Sequence, residues 1–267
     1  MNWRENTNRA EQQYFADIMQ ILNRFGLDPV KLIGKGEFLD LWARQAAQRM
    51  ILGRLHASAR SWRQAAHESM QGRRIYLALQ KELSGPVGTR VRELVAENAK
   101  LITSFPQEVA AKVASRAAEH YAEGGRSEAL LSEKLFKHAV RSRARLVART
   151  EVSKASTALT EARAEELNLP YYVWRSSADQ RVRKGHRKMD GVIVPWTDPP
   201  SPEALVGERD YGHYQAGNTF NCRCYPEPLL RMDQVQWPHR TYANGSIRMM
   251  TQSAFRARNS QHIGIAA

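Results

Sequence analysis

The chain of 267 residues holds only two cysteines, too few for a disulfide-stapled scaffold. No uninterrupted apolar stretch approaches the ~18 residues of a bilayer-spanning helix, so neither an integral membrane protein nor a membrane partner is expected. The opening residues MNWRENTNRAEQQYF lack the apolar run and small-residue cleavage site of a signal peptide. A soluble chain made in the cytosol is the expectation. Common enzyme signatures are missing as well. There is no P-loop, no zincin H-E-x-x-H and no G-x-S-x-G nucleophile elbow, and Gly34-Lys35-Gly36 is too short for a dinucleotide fingerprint. The expectation is a protein that is not an enzyme. Acidic residues are scarce, 27 against 40 basic, for a net charge of +13. Such an excess favours a polyanionic neighbour.

What is present is an apolar fraction of 42%, too high for a wholly disordered chain. It can supply the core of one or two domains. The charge is uneven. Residues 1–100 carry a net +6, 101–168 +2, 169–230 +1 and 231–267 +4. The excess sits in the flanks, which fits non-specific contact with a polyanion better than a single DNA-reading element.

Helical spacing dominates the first two-thirds. Tyr14, Ile18, Ile21, Leu22 and Phe25 recur at steps of three and four, predicting a helix over 9–25 that Gly26 and Pro29 end. Residues 37–83 read as one or two helices, and Ser84-Gly85-Pro86 with Gly88 marks a boundary. A helix pair over 89–104 and 106–122, broken before Pro106, leads to a turn at Gly124-Gly125. Ser127 is placed to cap a long helix from about 128 to 167. One stripe of that helix is Val140, Ala144, Val147, Ala148, Val152, Ala155, Leu159 and Ala162. Arg141, Arg145 and Arg149 form a second stripe, either a solvated face or a contact for DNA or an acidic partner.

After Leu169-Pro170 the pattern changes. YYVWR (171–175) and VIVPW (192–196) read as strands, 179–189 as a short helix, 197–219 as loop and 222–230 as a short edge strand. From 231 the chain reads as extended and basic, with Arg240, Arg248, Arg256 and Arg258 as further contacts for DNA or a partner. The fold class is α+β, with a mostly α-helical N-terminal two-thirds, a small C-terminal α+β domain and an extended basic tail. The expected divisions are a helical arm (1–85), a helical region (86–168), the small domain (169–230) and the tail (231–267).

Both cysteines fall within Asn221-Cys222-Arg223-Cys224. At this spacing a mutual disulfide is strained. Two thiolates so close point to a soft metal, zinc above all, that needs two further ligands. His186 is the best third ligand, and His213, Asp179 and Asp190 are candidates for the fourth. Two small reduced thiols beside a tight turn would read the same way. Asp179, His186 and Asp190, spaced seven and four apart, would share a helix face as a metal or acid–base group. Equally, Asp179 could cap that helix and His186 bond to backbone.

The order of motifs in the C-terminal half resembles the phage head morphogenesis family, the minor head proteins typified by the F protein of phage Mu. Arg149-Thr150-Glu151 lies in a long helix and Trp174 in an aromatic strand. Asp179-x-Arg181-Val182-Arg183-x-x-His186-x-x-x-Asp190-Gly191 follows, then a Pro-rich loop and Asn221-Cys222-Arg223-Cys224 with Pro226. The resemblance covers roughly residues 95–230. It implies a low-copy structural virion protein inside the capsid near the portal vertex, acting in assembly, packaging or ejection. Its implied partners are the portal protein, the major capsid protein or scaffold, and packaged double-stranded DNA. It implies a zinc or other metal site at Asp179, His186, Cys222 and Cys224. The competing expectation is a metal-dependent nuclease or toxin-like effector using the same Asp/His/Cys cluster.

Overall fold

The computed structural model describes residues 3–24, 36–67, 72–122 and 128–258. Among the described residues five helices come first: α1 Trp3–Asn23, α2 Gly36–His67, α3 Gly72–Lys81, α4 Pro86–Ala122 and α5 Glu128–Glu166. Then follow β1 Tyr171–Arg175, α6 Lys184–Met189, β2 Ile193–Pro195, β3 Tyr225–Pro228, β4 His239–Ala243, β5 Ser246–Met250 and α7 Gln252–Arg258. The α+β class and the helical N-terminal two-thirds are as the sequence predicts. Phe25, Gly26, Pro29, Gly124-Gly125 and Ser127 lie outside the described residues.

The described residues fall into two compact units. One comprises those up to Arg54 together with Arg92–Val152, and the other Leu55–Val91 together with those from Ser153 onward. In the first unit, α1 buries Tyr14, Ile18, Ile21 and Leu22. The Tyr14 hydroxyl donates to Asn98 Oδ1 at 3.0 Å. Every residue of the predicted apolar stripe of α5, from Val140 to Ala162, is buried. The expected break before Pro106 is corrected: α4 runs through it. The proline removes one ladder hydrogen bond, but Ile102, Phe105 and Val109 are buried on either side of it, and that shared apolar face keeps the helix going.

The second unit is built on a five-stranded sheet in the order β3-β1-β2-β4-β5. Only the β2–β4 pair is parallel. The inner strand β1, between β3 and β2, is buried on both faces. Tyr172 and Trp174 pack with Val194, Met189, Tyr214 and both cysteines. Tyr171 and Val173 pack with Ile193, Leu229, Met232 and Phe255 on the other side.

The expectation of an extended tail from 231 is corrected. Residues 239–250 are a hairpin that completes the sheet, and α7 buries Phe255 against it. The turn is Asn244-Gly245, with φ of 50° and 71°. Two successive positive φ values are what a tight hairpin turn of matching twist requires, and Asn-Gly is the pair that adopts them most readily. Where the small domain was expected to end at 230, β4 instead pairs with β2.

A buried cation ties the helical part of this unit together. Arg163 on α5 donates to Glu82 Oε2 at 2.8 Å, to the Leu55 carbonyl at 3.1 Å and to Ser58 Oγ. Burial lowers the guanidinium pKa, and Glu82 opposes that shift.

Candidate metal centre

Three of the four expected ligands meet. His186 sits in the middle of α6, and Cys222 and Cys224 lie in the loop that enters β3. The two sulfurs and His186 Nδ1 all lie within 4.8 Å of one another, and all three residues are buried. Both Nδ1···Sγ distances are 3.4 Å. Zinc sits about 2.3 Å from sulfur and about 2.0–2.1 Å from nitrogen, which makes the N···S edge of a tetrahedron roughly 3.5 Å. The donors therefore fit zinc in both chemistry and spacing. The thiols are coupled. A hydrogen bond from Cys224 holds Cys222 below the usual thiol range, with His186 adding to it. The same bond, with burial, pushes Cys224 up.

Two close approaches create this geometry. Gly185, next to His186, lies so near the 202–203 backbone that a Cβ there would stand 2.2 Å from the Pro202 carbonyl oxygen. Gly217, at φ +88°, lets the loop before Cys222 press on α5, where a Cβ would meet Thr157 Oγ1 at 2.5 Å. Thr157 donates to the Ala216 carbonyl at 2.6 Å, and Tyr172 donates to Gln215 Oε1 at 2.9 Å. Trp174 of β1 meets the His186 ring edge-on at 5.7 Å.

The ring's other nitrogen, Nε2, faces Glu203 Oε1 at 3.2 Å and the Tyr214 hydroxyl at 2.9 Å. Tyr214 in turn donates to Glu203 Oε2 at 2.5 Å. Burial pushes the Tyr214 phenol far up, and its bond to Glu203 adds to that. Neither residue is singled out by sequence spacing, since both lie in a Pro-, Gly- and Asp-rich stretch that reads as plain loop.

Asp179 is not part of the group, which corrects the expected ligand set. It pairs with Arg223 and accepts from the Arg181 amide at 2.9 Å. Desolvation raises its pKa, but the bond and charge of Arg223, the Arg181 amide and the Ser177 hydroxyl together hold the carboxyl below the usual range. The helix begins only at Lys184, so the seven-residue step from Asp179 to His186 is not helical. Asp190 Oδ1 accepts from the Ser176 amide at 2.7 Å, and the exposed His213 sits 2.8 Å from the Pro199 carbonyl.

Several of the expected contact arginines already have partners within the chain. Arg145 lies 5.3 Å over the Phe15 ring, and Arg149 is 3.6 Å from Glu11. Arg240 donates to the carbonyls of Asp190 and Lys188. Arg258 bonds Asn244 at 2.5 Å, and Arg248 bonds Ser246 at 3.1 Å. Arg141, Arg248 and Arg256 are exposed. A cavity of about 960 Å³ bordered by Trp62, Val173, Trp237 and Met249 contains none of the metal donors.

Residues 106–226 match the Phage Mu protein F like family. The resemblance read from the motif order therefore holds over these residues. The Mu F-like segment takes in β1, α6, β2, Glu203, Tyr214 and the whole His/Cys group, and it stops before the β4–β5 hairpin. A protein of Haemophilus influenzae described as "Uncharacterized protein" is 34% identical over 142 residues, which is 53% of this chain and 30% of that protein. The chain thus spans less than a third of that relative's length. No solved structure matches the chain.

Proposed function

We propose that the chain is a structural minor head protein of a double-stranded DNA bacteriophage, held inside the capsid near the portal vertex, with zinc at His186, Cys222 and Cys224. The observation that carries this reading is a buried His/Cys group of zinc-like spacing inside the Mu F-like segment. When bound, zinc supplies a cross-link between α6 and the loop that enters β3, adding directly to folding free energy. The residues themselves form a buried centre beside Trp174 and Tyr214, which suits holding a fold better than admitting a substrate.

The basic flanks support contact with packaged DNA, where phosphate density is high and binding is independent of sequence. The portal and the capsid or scaffold are the protein partners that this placement implies. The nuclease reading needs Asp179, His186 and Asp190 around one ion. Asp179 is given to Arg223 and Asp190 to the Ser176 amide, so that reading gains no support.

The test is the protein content of purified procapsids and mature heads by quantitative mass spectrometry. The protein should be present in few copies in both. Absence from both would overturn the proposal.

A further inference from the structure

The carboxylate behind His186 is among the most deeply buried charged groups of the second unit. The Glu203 side chain is 1% exposed. Three groups converge on it: His186 Nε2 at 3.2 Å, the Tyr214 hydroxyl at 2.5 Å and Arg183 Nη1 at 3.4 Å. A buried carboxylate is kept only where its oxygens are occupied, and here they are occupied in one consistent direction. Tyr214 spends its proton on Glu203 Oε2. Its oxygen is then an acceptor, as is Glu203 Oε1, so both neighbours of Nε2 demand a proton from the imidazole.

A neutral imidazole carries one proton. If it sits on Nε2, then Nδ1 presents a bare lone pair, and Nδ1 is the nitrogen 3.4 Å from each sulfur. Remove Glu203 and the direction reverses. The Tyr214 hydroxyl, 2.9 Å away, can then donate to Nε2, and the proton moves to Nδ1, where it blocks a metal. Arg183 fixes the carboxylate from outside. It is itself held by the Phe220 carbonyl at 2.8 Å and stacks 4.2 Å from the Phe220 ring.

We infer that Glu203, with Tyr214, is the positioning residue of this centre: it sets the His186 tautomer so that Nδ1 is ready for metal before any metal arrives. This rests on the metal reading above and deepens it, since carboxylates behind ligating histidines commonly tune affinity. Both residues reach His186 at Nε2, the ring nitrogen opposite the one beside the sulfurs.

The experiment uses the full chain, with zinc as the probe. Zinc affinity is measured by competition with a chromophoric chelator. The His186 tautomer is read in the metal-free protein from long-range proton–nitrogen correlation spectra. Wild type should show the Nε2–H form. Glu203→Leu, of similar size but without acceptors, should shift toward the Nδ1–H form and bind zinc roughly 10- to 100-fold more weakly. Glu203→Gln, which keeps one acceptor oxygen, should fall between them, and it carries the test should the leucine variant fail to fold. A purely structural glutamate would lower stability and leave tautomer and affinity unchanged, so affinity within about threefold of wild type with an unchanged tautomer overturns the inference. If wild type binds no zinc, the metal reading fails, and the tautomer spectra still decide whether Glu203 positions the ring.

Discussion

Gly185 lies against Pro202, so close that a Cβ at residue 185 would stand 2.2 Å from the Pro202 carbonyl oxygen and 3.0 Å from the next backbone nitrogen. This contact brings the helix that carries His186 onto the segment that carries Glu203. The obstacle to any larger residue is backbone, which cannot swing aside as a side chain can. Gly185→Ala should therefore cost about 1–3 kcal/mol, the usual range for overpacking, and weaken zinc binding as well. Urea unfolding should show a lower midpoint with an unchanged slope.

Arg163 and Glu82 make a second strict pairing. Their side chains are 3% and 11% exposed, so removing the cation strands a carboxylate. Arg163→Met should cost about 3–5 kcal/mol, with part recovered in the Arg163→Met, Glu82→Gln double variant. Thermal unfolding of the two single variants and the double measures this directly. A double-variant cost equal to the sum of the two single costs would show that the pair is not coupled.

Metal should be part of the folded state. Elemental analysis of reduced protein should find about one zinc per chain, and Cys222→Ser should lose it. Hydrogen exchange in that variant should rise in β1, α6 and β3 while the first unit stays protected. Metal-free wild-type protein of unchanged stability would make the cysteines plain buried thiols.

DNA binding by surface charge should be separable from the fold. Arg141, Arg248 and Arg256 are exposed, whereas Arg240 and Arg258 brace the sheet region through Asp190, Lys188 and Asn244. Changing the first three to Gln should reduce the salt dependence of duplex DNA binding, by about 0.9 in log–log slope for each phosphate no longer neutralised. The melting temperature should stay the same. Changing Arg240 should lower stability instead. An unaltered slope in the triple variant would remove these residues from the DNA surface.

These particulars show how legible the sequence was. The α5 stripe could be read because alanine and valine at helical steps have one economical burial. The thiols could be read because two cysteines in one tetrapeptide are rare. Asp179 misled because its spacing was helical but its backbone is not. Pro106 misled because local propensity argued for a break that buried Ile102, Phe105 and Val109 override. The β4–β5 hairpin was missed although Asn244-Gly245 is a strong turn signal, since scattered arginines hid the alternation around it. Glu203 and Tyr214 had no local signal, because only the fold brings a loop carboxylate and a loop phenol to the back of the His186 ring.

The most direct test is an asymmetric, portal-focused reconstruction of the phage head. The account predicts density for the five-stranded sheet and its flanking helices on the inner side of the shell at the portal vertex, with the basic surfaces toward DNA. A head whose portal vertex lacks that density, or density found only on the outer surface, would contradict it.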